Sequence, residues 1–284
     1  MNYRHVYHAG GFGDVVKHTL LTLLLTFLAR KPAPFCYIDT HAGAGYYDLF
    51  SEFASKTKEY VGGIEKIIEQ KDPPPFIKHY LDCVHQINNR LTHAKFASLR
   101  YYPGSPLIAR YLIRPHDRII ACELQTETYQ SLRAALGGDV QVGLHHLDGL
   151  LGLKALLPPK ERRGLVLIDP PYEDPEEFTR IAKVLPLALK RWETGIYAIW
   201  YPIKGKKQLE HFYRAIKQNI FRPALAVEFT IYPDLPHHLN GCGLLIINPP
   251  WQLDAALTPT LAYLWKSLTI NKQGGFCVRS LKSL

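Results

Sequence analysis

The chain has no CxxC pair, no HExxH element and no GxGxxG loop. It also has no uninterrupted apolar run of about 18 residues, the length expected of a membrane span. Each absence removes a class of protein. Five scattered cysteines (Cys36, Cys83, Cys122, Cys242, Cys277) argue against a disulfide framework or a zinc ribbon. Free thiols in a reducing cytosol are expected instead. The histidine neighbours His145/His146 and His237/His238 lack the i,i+4 spacing of a helical zinc site, so no metal is expected. Without a dinucleotide fingerprint, a nicotinamide dehydrogenase is disfavoured. Met1 to Lys17 is polar and His-rich and has no basic start followed by an apolar core, so it does not read as a signal peptide. Internal repeats and low-complexity segments are absent. Acidic residues are in deficit, 25 against 34 basic, and the resulting net charge of +9 favours a polyanionic partner.

What is present reads as a globular α/β protein. Its 284 residues, 47% hydrophobic and 21% charged, suit one main core with an insertion. The stretch around which the chain is organised is Asp169-Pro170-Pro171-Tyr172, which ends the apolar run Gly164 to Ile168. Such a run reads as a buried strand, and two prolines cannot continue its ladder. A carboxylate, a rigid turn and an aromatic ring therefore fall at the strand's carboxyl end, where open α/β sheets bind ligands.

Other strand exits are polar as well. Pro34 to Thr40 reads as the first strand and is followed by HAGAG, where Gly43 and Gly45 allow close backbone approach to a ligand beside His41. Arg118 to Glu123 ends in an acid able to accept hydrogen bonds from a ribose diol. Val140 to Gly149 ends in Asp148-Gly149. Ser105 precedes a helix whose amino end can receive a polar ligand. Ahead of the first strand, Tyr3, Arg4, Lys17 and His18 lie in a polar arm and in the first turn of a helix that Asp14 is expected to cap and that runs to about Arg30. Residues 48–97 read as helical, broken at Pro73 to Pro75, and carry Lys56, Lys58, Lys66, Lys78, Arg90 and Lys95. They are expected to form a helical subdomain inserted into a main domain of residues 1–47 and 98–284. Strands at Gly195 to Tyr201, Leu225 to Tyr232 and Cys242 to Ile247 complete a seven-stranded Rossmann-like sheet with one antiparallel strand.

Asn248-Pro249-Pro250-Trp251 copies the form of the Asp169 motif. It follows the strand expected to run antiparallel, so it falls at the opposite edge. It is read as a turn whose Trp251 packs down.

Taken together, DTHAGAG, YYPGSPLIAR, Glu123, LDG, RRGLVLIDPPYE, WYP and INPPW, headed by YRHVYHAG and DVVKH, resemble the RlmJ-type 23S ribosomal RNA adenine-N6 methyltransferases of bacteria. The resemblance spans residues 3 to about 252. It implies a Rossmann-like class I methyltransferase fold that uses S-adenosyl-L-methionine, with 23S ribosomal RNA as partner and a cytoplasmic monomer as the working form. It further implies His18, His41, Ser105, Glu123, Asp148 and Gly149 as cofactor contacts, with Gly43 in the adjoining turn and Asp169 as the catalytic acceptor. Tyr3 is implied as a substrate contact, with Arg4 and Lys17 beside it; Pro170 and Tyr172 would act with Asp169 on a flipped base. Gly11 departs from the family's pattern, which has an amide there. DNA adenine or a protein amide as acceptor, and a noncatalytic RNA-binding role, are the competing readings.

Overall fold

The computed structural model describes residues 4–94, 98–233, 235 and 238–282; Tyr3, Lys95 and His237 lie outside the described residues. A single 3-10 turn, His5–Tyr7, leads into helix α1, Phe12–Ala29. This helix is apolar on nearly every side, as a helix enclosed by protein must be. It reaches the length and apolarity of a membrane span, which the run of apolar residues did not suggest, but 78% of it is buried inside the fold, as befits a core helix.

Strand β1 (Cys36–Asp39) and strand β2 (Tyr46–Asp48) follow, then helices α2 (Glu52–Thr57), α3 (Glu59–Gly62), α4 (Ile64–Ile68) and α5 (Pro75–Thr92). Pro75 opens α5, where a missing N–H costs nothing. Strand β3 (Tyr101–Pro103) pairs antiparallel with β2 and leads into α6 (Ser105–Leu112). The chain then alternates through β4 (Arg118–Glu123), α7 (Thr126–Leu136), β5 (Val142–His146), α8 (Gly149–Leu156), β6 (Gly164–Ile168), α9 (Glu177–Arg191), β7 (Ile196–Ile203) and α10 (Lys206–Asn219). It closes with β8 (Ala224–Thr230), β9 (Gly241–Ile247), α11 (Leu253–Leu268) and β10 (Gly275–Lys282).

The main sheet has eight strands in the order β10-β8-β9-β7-β6-β1-β4-β5. All seven expected strands are there, and β10 is the eighth. It escapes notice in the sequence because it is an edge strand: Phe276, Val278 and Leu281 pack on the cores only partly buried, and Arg279 reaches out to Glu228. Strands β1, β4, β5, β6 and β7 are parallel. Two strands, β9 and β10, oppose them rather than the one expected.

Both faces of the sheet are covered. In β1, Tyr37 joins a buried cluster with α1, α5, α6 and α11, while Cys36 and Ile38 join a second with α8, α9 and α10. Alternate residues of one strand thus feed two cores, so the strand shows no polar face in sequence. Ile64, Ile77, Tyr80 and Val84 of the helices within 48–97 share the first cluster with α1.

Two local expectations are corrected. Asp14 does not cap α1: Gly11 holds the N-cap position, and Asp14 is the third helical residue, its carboxylate turned to other partners. Asn248 does form a turn at the far edge, donating its amide to Glu193 O and Gly195 O at 2.8 Å each, but Trp251 is 76% exposed and does not pack down.

Gly164 opens β6 at φ +155°, and a Cβ there would lie 1.8 Å from Cys36 O in the neighbouring strand. Gly164→Ala is expected to lower stability by more than about 1 kcal/mol, read as a lower urea midpoint at unchanged slope.

Candidate active site

The carboxyl ends of the parallel strands open into one cavity of about 430 Å³. Its walls bring together Arg4, Lys17, His18, His41, Gly43, Ser105, Glu123, Asp148, Gly149 and Asp169, residues separated by up to 165 positions in sequence. Pro171 also lines it, whereas Pro170 and Tyr172 are not among its walls. Tyr172 sits at φ +51°, half-buried, its ring against Phe178 and Trp200 and its hydroxyl donating to Trp200 O at 2.5 Å.

The floor of the cavity is a set of engaged acids. Asp39, the last residue of β1, is wholly buried and accepts hydrogen bonds on Oδ2 from Tyr37 Oη and Ser105 Oγ, both at 2.7 Å, and on Oδ1 from His41 N at 3.2 Å. Burial pushes its carboxyl up to about 6, against the pull of those donors. Glu123 accepts Gly43 N at 3.0 Å on one oxygen and Gln125 N at 2.8 Å on the other. Burial raises it from the ordinary carboxyl value despite these N–H groups. An ionised carboxylate has about four lone-pair sites, so Glu123 retains acceptor capacity for a ligand hydroxyl. Gly43 is at φ +66°, and a Cβ there would strike Tyr47 Oη at 2.3 Å. Gly149 is required for a different reason: a Cβ would stand 2.1 Å from Thr40 O, so only glycine lets α8 start against the β1 exit.

Asp148 caps α8 by accepting Leu151 N at 3.1 Å and pairs with the Arg180 guanidinium. Burial would raise it, but these donors hold it below the usual carboxylate range. Thr40 donates its hydroxyl to Leu167 O at 3.0 Å, so at the 2.8 Å Thr40–His41 contact the imidazole Nδ1–H is the donor. His41 Nε2 is then an acceptor. His18 Nδ1 lies 2.7 Å from Tyr102 Oη, and its buried Nε2 has no partner. Burial, then the nearby Lys17 charge, drives His18 well below its ordinary value, so it is neutral.

Lys17 bridges Asp14 Oδ1 at 2.8 Å and Asp169 Oδ2 at 2.6 Å. Burial opposes its charge, but the two carboxylates hold it well above the ordinary lysine value. Asp14 in turn accepts His5 Nε2 at 2.9 Å and Gly10 N at 3.1 Å. Sequence reading missed His5, Arg180 and the true part of Asp14. Only the i,i+3 spacing of Asp14 and Lys17 hints at the last; the others depend on contacts made across the fold. Among the described residues, no group of three or more His, Cys, Asp or Glu side chains could hold a metal ion.

A parallel sheet extended by reversed strands, with the acids at the ends of β4 and β6 lining one cavity, is the Rossmann-like fold of the class I methyltransferases. Residues 32–281 match the model of a family described as ribosomal RNA large subunit methyltransferase D, RlmJ, and the chain belongs to that family. Ribosomal RNA large subunit methyltransferase J of Escherichia coli K12 is 40% identical over 94% of both chains. That of Haemophilus influenzae is 39% identical over 98% of both. A crystal structure from Legionella pneumophila, 34% identical and covering 96% of this chain and 98% of its own, superposes with a TM-score of 0.87.

His41 generates a pH signature. Burial pushes its pKa down from 6.5 to about 4, with Arg180 also lowering it and Asp169 and Asp148 opposing. Between these values the unfolded chain takes up a proton that the folded chain does not, so stability falls as pH drops through this window. Asp39 has the opposite sign over a similar range, so the test is a comparison. His41→Gln is expected to lose less stability than the wild type between pH 7 and 4.5, measured by urea unfolding at each pH.

Proposed function

We propose that the protein methylates the exocyclic N6 of one adenine in 23S ribosomal RNA, using S-adenosyl-L-methionine. The observation that carries this reading is Asp169 at the β6 exit, in one cavity with the strand-end acids and glycine turns. Membership of a family whose relatives are named ribosomal RNA methyltransferases supports RNA as the substrate.

The cavity residues fit the cofactor chemically. Glu123 offers acceptors for a ribose diol, Asp148 and Gly149 flank the space suited to a base, and His18 Nε2 is a buried polar atom lacking a partner. Gly149 stands where the Thr40 backbone approaches too closely for a side chain, and Gly43 where the Tyr47 hydroxyl does. His18, His41, Gly43, Ser105, Glu123, Asp148 and Gly149 would hold the cofactor, with Asp169 at its reactive end. When bound, it supplies a methyl group activated on a sulfonium.

The protein's part is to prepare the amine. An adenine amine is a poor nucleophile because its lone pair is delocalised into the ring. Asp169 and the backbone carbonyl of Pro170 accept its two N–H bonds and favour a pyramidal nitrogen whose lone pair faces the methyl donor. Tyr172, which lies off the cavity wall against Phe178 and Trp200, would have to turn toward the flipped base to stack on it, an interaction worth about 1–3 kcal/mol per base. Arg4 at the cavity wall, its guanidinium 5.1 Å from the Phe53 ring, contacts the substrate together with Tyr3 and Lys17. In this reading residues 48–97 form an inserted helical subdomain within a methyltransferase domain of 1–47 and 98–284, and the enzyme acts as a cytoplasmic monomer.

Asp169→Ala is expected to keep cofactor affinity and lose roughly 10²-fold or more in methyl transfer; near-normal turnover removes Asp169 from the role. Mapping N6-methyladenine in 23S RNA with and without the gene tests the substrate, and transfer to DNA or protein instead overturns it. Because phosphate contacts dominate, RNA affinity is expected to fall steeply as salt rises, which a binding titration in increasing salt measures.

A further inference from the structure

The Lys17 ammonium poses a problem for the reaction just described. Asp169 must offer its oxygens to an amine, yet its Oδ2 lies 2.6 Å from Lys17 Nζ. An oxygen so engaged is a weaker acceptor. Lys17 is only 5% exposed, and a buried ammonium that loses its carboxylate is strongly destabilised. If Asp169 were its sole partner, freeing Asp169 would leave an unpaired buried charge.

Asp14 removes that difficulty. Its Oδ1 holds Lys17 Nζ at 2.8 Å, so the ammonium has a second carboxylate besides Asp169. Asp14 is itself held. Its Oδ2 accepts His5 Nε2 at 2.9 Å and the backbone N–H of Gly10 at 3.1 Å, and its side chain is 3% exposed. Gly10 sits at φ +73° in the turn before α1, and even a Cβ there would crowd Ile64 at 3.0 Å. The carboxylate is thus tied to backbone on one oxygen and to the lysine on the other. Burial would neutralise it, but His5 and Lys17 hold it well below the ordinary carboxylate value.

We propose that Asp14 is a positioning residue for methyl transfer: it retains the Lys17 ammonium and thereby lets Asp169 accept the incoming amine. This rests on the reading of Asp169 as the amine's acceptor. Asn in place of Asp14 keeps the shape but removes the counter-charge, so Lys17 would close on Asp169.

Labelled methyl transfer to a 23S RNA transcript tests this in a cycle of Asp14→Asn, Lys17→Met and the double variant. Asp14→Asn is expected to lower kcat about tenfold or more, with KM for RNA and cofactor affinity by calorimetry within about threefold of the wild type. In the Lys17→Met background the same change is expected to cost less than about twofold, since no ammonium remains to be held. Asp14→Glu, which restores the charge, is expected to recover more of kcat than Asp14→Asn. Equal losses from Asp14→Asn in both backgrounds overturn the proposal, because a residue that only anchors His5 and Gly10 acts independently of Lys17. A parallel fall in cofactor affinity also overturns it. The same cycle read in thermal unfolding needs no turnover: non-additive shifts support the Asp14–Lys17 pairing, and additive shifts overturn it. Wild-type protein that transfers nothing to RNA defeats the functional reading itself, and this proposal with it. An active wild type with an additive cycle defeats the proposal alone.

Discussion

Two carboxylates share one buried ammonium at the centre of this protein. Lys17 stands between Asp14 and Asp169, and through that pairing the turn before α1, the helix itself and the exit of β6 are fixed relative to one another. The arrangement persists because each partner makes the burial of the others tolerable: without Lys17 two carboxylates would face each other in a poorly solvated space, and without them the ammonium would be stranded. His5 extends the chain of contacts to the 3-10 turn that precedes α1. The amino-terminal segment is therefore tied electrostatically to the chemistry.

Around this pairing the sheet imposes the second constraint. Because β1, β4, β5 and β6 are parallel, their carboxyl ends lie on one edge, and Asp39, Glu123 and Asp169 are brought together although they sit far apart in the chain. The acids are not equivalent. Asp39 is enclosed by Tyr37, Ser105 and His41 N and supports the floor, whereas Glu123 and Asp169 line the cavity. Glycines set the width of that cavity where strand exits and helix starts nearly touch, as Gly149 does against Thr40.

The reversed strands decide between the two similar motifs. Asn248 stands at the end of β9, which runs against β7, so its turn is built at the edge away from the cavity and its amide is consumed by Glu193 O and Gly195 O. Asp169 and Asn248 look alike in sequence but meet different surroundings. Trp251, left exposed beside that turn, shows that similarity of motif did not extend to packing.

By itself the sequence determined the strand core, the polar strand exits and part of the cavity lining. These are local properties: apolar runs mark buried strands, and prolines, glycines and acids mark where they end. It did not reveal β10, whose half-exposed edge position leaves only weak alternation, or the pairing of β2 with β3. Nor did it reveal the work of Asp14, His5 and Arg180. Asp14 looks like a helix cap because its neighbours in sequence are a helix start; its partners His5 and Lys17 are near in sequence, but the burial that makes the triad matter is not. The Lys17–Asp169 pair joins residues 152 positions apart, and Arg180–Asp148 joins 32. Such pairings have no signature along the chain, since charge interactions depend on distance and exposure, and only the packed tertiary structure decides both.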